Sequence, residues 1–92
     1  MNARVRRAVL AKIDETISNA HEILRIQHNL YHIPVESQDD FAFGIAIGRI
    51  YNSFHYQTRR TLKRSATEEE FTEFLEILAK RAKNIKKALR QH

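Results

Sequence analysis

The sequence predicts an all-α fold, an up-down-up bundle of three long antiparallel helices, and three observations predict it. Two glycines and one proline in 92 residues put the chain breakers near 3%, against roughly 12% in ordinary usage, which argues against a turn-rich β protein. Apolar residues recur at intervals of three and four through three segments, as they do in helices that bury one face. The two connectors are short, as between antiparallel neighbours in bundles. Leu, Ile, Val and Phe together number 25, above the level of about 20% below which disorder is the default, so residues 1–92 should fold as a single helical domain.

The first helix is expected over about residues 3–32. Leu10, Ile13, Ile17, Ala20, Leu24 and Tyr31 recur at spacings of three, four and seven, and Val9, Ile23 and Leu30 widen the stripe. Pro34 closes it, because proline disfavours helical geometry at Ile33 and donates no backbone N–H. The second helix, about 37–64, opens at Ser37, whose hydroxyl can accept from first-turn N–H groups, while Asp39 and Asp40 suit the positive end of the helix dipole. Its apolar body is Phe43, Ile47, Ile50, Tyr51, Phe54 and Leu62. The 4, 3, 4 spacing of Phe43, Ile47, Ile50 and Phe54 favours helix over the short strand that alternation from Phe41 to Ile47 would allow. The third helix, about 67–91, starts at a capping box, Thr67 with Glu70, reinforced by Glu68 and Glu69. Phe71, Leu75, Leu78, Ala82, Ile85 and Leu89 then repeat at spacings of 4, 3, 4, 3 and 4, and Lys80, Arg81, Lys83, Lys86, Lys87 and Arg90 gather toward the negative end.

Composition removes several function classes. Without cysteine there is no disulfide framework, no thiolate zinc site and no cysteine nucleophile. The longest apolar run, 41–48, is eight residues, against roughly 20 needed to span a bilayer, so no membrane partner is expected. The basic start is followed by Lys12, Asp14 and Glu15 instead of a signal-peptide apolar region, and a cytoplasmic location is the expectation. A formal charge of +5 favours polyanions and is equally compatible with simple solubility. Much of that charge is expected to be compensated. The up-down-up order sets Glu68, Glu69, Glu70 and Glu73 near the basic ends of helices 1 and 2, and Glu36, Asp39 and Asp40 near the lysine-rich tail.

Four groups of residues are candidates for function. Gly44 and Gly48, one turn apart and flanked by Ala42 and Ala46, leave small surfaces on the second helix. Two mid-helix glycines cost roughly 2 kcal/mol relative to alanine, and close approach of another helix backbone offsets such a cost. That neighbour is either a helix of the same chain or a second copy, and a homodimer through the second helix is the favoured partner. Tyr56, Arg59, Arg60, Lys63 and Arg64, joined at the same end by Arg4, Arg6 and Arg7, mix aromatic and basic side chains as nucleic-acid surfaces do. His28 and His32, four apart, form a feasible chelating pair, but no third ligand stands at a diagnostic spacing, so neither a metal nor any other cofactor is expected.

The fourth group is Arg49-Ile50-Tyr51-Asn52-Ser53-Phe54-His55. This Arg-to-His spacing resembles the motif of HEPN-domain ribonucleases, helical proteins that act as dimers with the motif at their interface. The resemblance implies that Arg49 stabilises phosphate charge, His55 moves protons and Asn52 positions them. Two functional expectations therefore stand: first, a non-enzymatic helical module that forms homo-oligomers and carries a basic surface for nucleic acid; as the alternative, a dimeric ribonuclease. No glycine-rich phosphate loop or nucleophile elbow supports another enzyme class.

Overall fold

The computed structural model describes residues 1–90, which form α1 (Ala3–Ser18), α2 (Ala20–Asn29), α3 (Gln38–Leu62) and α4 (Glu68–Arg90), with no strand among them. Four helices replace the expected three, because the segment expected as one helix over 3–32 breaks at Asn19. There the backbone turns to φ −110° and ψ 30°, and the side-chain amide of Asn19 donates to the Glu15 carbonyl at 3.0 Å, beside the Asn19 backbone N–H at 2.9 Å. Asparagine competes in this way with the helical ladder, so the interruption belongs to its side chain. The second and third expected helices hold to within two residues at their described ends. The expected last residue of the third, 91, lies outside the described residues.

Side-chain contacts fix the directions. The amino terminus of Met1 pairs with Glu73 at 2.9 Å, and Arg81 with Asp14 at 2.7 Å, so α1 and α4 run alongside in the same sense. Arg49 in the middle of α3 reaches Glu15 at the end of α1 and Glu22 at the start of α2. Gln27 donates to the Gln38 carbonyl, so α3 runs back against both. The long dimension of the molecule is 40 Å, close to the length of α3 itself. Among the described residues no helix is long and apolar enough to cross a membrane.

The core stripes overlap those expected: Ile13, Ala20, Ile50, Phe54, Leu78, Ile85 and Leu89 are buried, and Leu10, Ile17, Leu24, Phe43, Ile47 and Phe71 pack half-buried against the core. On α1 and α2 the buried set is Val5, Val9, Ile13, Thr16, Ala20, Ile23 and Gln27, while Tyr31, beyond the helix end, is 76% exposed. On α3 it is Ala42, Ala46, Ile50, Phe54 and Thr58, and on α4 Phe74, Ile77, Leu78, Ile85, Ala88 and Leu89, with Leu75 exposed. Three polar members disguise these stripes. Thr16 Oγ1 donates to the Lys12 carbonyl, Thr58 Oγ1 to the Phe54 carbonyl, and Gln27 Nε2 to the Gln38 carbonyl, so each enters the core with a hydrogen bond made. Phe54 and Phe74 stack at 4.3 Å between ring centres and join α3 to α4.

The capping box forms as expected. Thr67 Oγ1 accepts from the Glu70 backbone N–H at 3.1 Å, and Glu70 Oε1 accepts from the Thr67 backbone N–H at 2.8 Å. Just before it, α3 closes on Lys63, whose φ of 59° is the left-handed conformation usually left to glycine. That reversal lets Arg64 grip Glu70 through both of its terminal nitrogens, at 2.8 and 3.2 Å. These hydrogen bonds, from Arg64 first and then from the Thr67 backbone, hold the Glu70 carboxyl down from 4.5 to about 2. A carboxyl depressed on folding stabilises fully above its unfolded value and loses that contribution as pH falls toward the folded one. Because Arg64 is half exposed, the contribution is about 1 kcal/mol and not the full shift. In urea unfolding, Glu70→Gln should therefore cost about 1 kcal/mol at neutral pH and flatten the loss of stability between pH 4.5 and 2. An unchanged acid profile would contradict this.

Candidate functional site

The buried positions of α3 step by four every time, so the side turned away from the core also steps by four. It reads Asp40, Gly44, Gly48, Asn52, Tyr56 and Arg60, all exposed. A Cβ built on Gly44 or on Gly48 would meet nothing within 4 Å. The glycines therefore do not serve packing inside the chain. Phe41, Ile45 and Ile47 flank them half-buried, and Tyr51 beside them is 44% exposed. Together they form an apolar helix face with a bare backbone at its centre.

The four residues expected at an interface are thus divided. Ala42 and Ala46 are 1% and 0% exposed and belong to the core, leaving Gly44 and Gly48 alone on the open face. Residues two apart on a helix point about 200° away from one another, so the alternating small residues serve opposite sides.

Arg49, Asn52 and His55 do not converge. Arg49 Nη2 bonds Glu15 at 2.9 Å and Nη1 bonds Glu22 at 3.3 Å, which makes it a clamp across the α1–α2 break. Hydrogen bonding and charge from Lys12, with Arg49 adding to them, hold the Glu15 carboxyl below its ordinary value. His55, six residues on, lies about 120° around the helix from Arg49. Its ring centre is 4.6 Å from that of Tyr51, 5.0 Å from Phe54 and 6.3 Å from Phe71, and its buried Nε2 has no hydrogen-bond partner among the described residues. Asn52 lies on the exposed ridge.

The basic residues do gather. The Met1–Glu73 pair brings the start of α1 to the start of α4, where α3 ends. Tyr56, Arg59, Arg60 and Lys63 are exposed at spacings of three, one and three, on one face of the last turns of α3. Arg64 is committed to Glu70, so part of the expected charge is neutralised, and Arg6 lines a cleft with Glu73, Glu76, Lys80 and Arg81. Arg4 and Arg7 are exposed at the same end. At the other end Asp39 and Asp40 line a cavity with Lys86 and Arg90, and the Lys86 ammonium lies 4.9 Å from the centre of the Phe43 ring. His28 and His32 are exposed near the end of α2, and among the described residues no three His, Cys, Asp or Glu side chains form a group able to hold a metal.

No family model, curated protein or solved structure matches the chain. The features that sequence reasoning missed are the clamp role of Arg49 and the separation of the glycines from the alanines. Helical phase would have signalled the second. Nothing short of the neighbouring carboxylates signals the first.

Proposed function

We propose that this protein is a small non-enzymatic helical module that pairs with a second copy of itself through the glycine face of α3 and offers its basic end to nucleic acid. The open space over Gly44 and Gly48 carries the first part. Two glycines weaken α3 by roughly 2 kcal/mol, and among the described residues no side chain packs over them. A second helix backbone brought against that face does compensate, since the absence of side chains permits close contact and the flanking Phe41, Ile45, Ile47 and Tyr51 lose water as it forms. The unneutralised face of Tyr56, Arg59, Arg60 and Lys63 supports the second part, with guanidinium groups for phosphate and a ring for an unpaired base.

The glycine face makes two measurements move in opposite directions. The double variant Gly44→Ala/Gly48→Ala should unfold at higher urea when dilute, by the equivalent of about 1 to 2 kcal/mol, because each alanine is the better helix former and meets no obstacle. Its dimer, followed by light scattering, should dissociate at higher concentration than that of the natural chain. A gain in stability with unchanged association would contradict the reading. For the basic end, fluorescence anisotropy with a single-stranded RNA oligonucleotide should show binding that weakens with salt. Removing Arg59 and Arg60 together should reduce the slope of log affinity against log salt by about 1.4. Absence of binding at low salt would remove nucleic acid from the proposal.

A further inference from the structure

The connection from α2 to α3 turns apolar side chains outward. Among the described residues seven large apolar side chains are exposed, and four of them, Ile26, Tyr31, Ile33 and Val35, lie on the last turn of α2 or on this connection. A cluster of that kind marks a contact surface. Its backbone is largely closed. The Leu30 N–H donates to the Ile26 and Gln27 carbonyls, that of Tyr31 to His28 and that of Ile33 to Leu30. Pro34 has no N–H, so among residues 30–34 only that of His32 is left over. A segment with few unmet donors is suited to an apolar medium, where each unmet donor is costly.

Basic side chains stand around the same end of the bundle. The Gln27 side chain ties the end of α2 to the start of α3, and the end of α4 lies beside that start. Lys86 and Arg90 line a cavity there with Asp39 and Asp40, so two cations are offset by two aspartates. Lys83 and Lys87, exposed one turn apart on α4, line a groove with Lys86 and Arg90. Neither is paired with a carboxylate among the described residues. Together with the exposed Arg25 of α2 they stand against one further exposed acid, Glu36. The end therefore combines an apolar tip with a basic rim.

Nucleic acid would use the charge of such a surface and one ring, but has no use for Ile26, Ile33 and Val35. A lipid surface uses all of them. Aliphatic side chains enter the boundary between headgroups and acyl chains, a tyrosine ring sits at headgroup level, and lysines hold their ammonium groups at the lipid phosphates. We propose that this end of the bundle docks on an anionic lipid bilayer, with Tyr31, Ile33 and Val35 at the boundary and Arg25, Lys83 and Lys87 over the headgroups. Such docking needs no spanning helix, and the expectation of no membrane partner concerns spanning alone. It does not rest on pairing through α3, and it uses the opposite end of the molecule from Tyr56 and Arg59.

The chain contains no tryptophan, so Tyr31→Trp places a single fluorescent reporter on the connection. With phosphatidylcholine vesicles containing about one third phosphatidylserine, its emission should shift to the blue. Pure phosphatidylcholine vesicles should produce no shift. In flotation of the full chain with the anionic vesicles, Lys83→Gln/Lys87→Gln should bind roughly 30-fold more weakly, about fivefold for each lysine. Tyr31→Ser/Ile33→Ser should lose at least about tenfold. Both double variants should unfold at the same urea concentration as the natural chain, because all four side chains are exposed. Unchanged emission with anionic vesicles, or equal binding by Tyr31→Ser/Ile33→Ser, would overturn the proposal. Equal binding to pure phosphatidylcholine would remove the basic rim from it and overturn it as stated. A blue shift with a single-stranded RNA oligonucleotide and none with vesicles would assign this end to nucleic acid instead.

Discussion

The packing of α3 constrains everything else. Its buried residues, Ala42, Ala46, Ile50, Phe54 and Thr58, recur every fourth position, so the line of contact winds around the helix as it proceeds. The other three helices all touch α3, and they cover only the side that this line defines. What remains is a ridge of the same period facing outward, and it is this ridge that carries the glycines, the exposed Asn52 and Arg60. Fold and candidate site are two sides of one periodicity. A shift of the buried line by two residues would bury Gly44 and Gly48 and expose Ala42 and Ala46.

Around that axis the chain uses charged contacts to hold pieces that the apolar core alone would leave loose. Arg49 spans the break at Asn19 by taking one carboxylate from each of the helices it separates. The Met1 amino group fastens the start of α1 to Glu73, and Arg64 with Glu70 fastens the tight connection from α3 to α4. Each pair is worth little in water, but placed at a joint it defines geometry. These attachments also consume charge. The net surplus of +5 is therefore carried by fewer, more localised side chains than the sequence alone suggests, at the end of α3 and along the end of α4.

Much of the architecture is legible in the sequence alone. The capping box at Thr67 and the start at Ser37 depend on backbone chemistry within a few residues, and they stand where local rules put them, whereas α2 ends at Asn29, short of the expected end at 32. The break at Asn19 was not legible, since it depends on one amide choosing the Glu15 carbonyl. Nor were the polar members of the core stripes, because Thr16, Gln27 and Thr58 are buried residues whose partners are known only once the fold is seen. For the candidate site, the glycines were legible as unusual, and what the sequence does not show is that among the described residues no side chain of the same molecule fills the space they leave. The spacing of Arg49 and His55 suggested chemistry, but spacing along a helix says nothing of what each side chain meets. One meets carboxylates and the other aromatic rings.

An unfilled glycine face on an otherwise well-packed helix is the central physical fact, and self-association is the account given of it. Sedimentation equilibrium of the natural chain across the micromolar range tests that account most directly. The account predicts a concentration-dependent rise from the 10.8 kDa of one chain to twice that mass, without larger species. A mass that stays at 10.8 kDa throughout would contradict it.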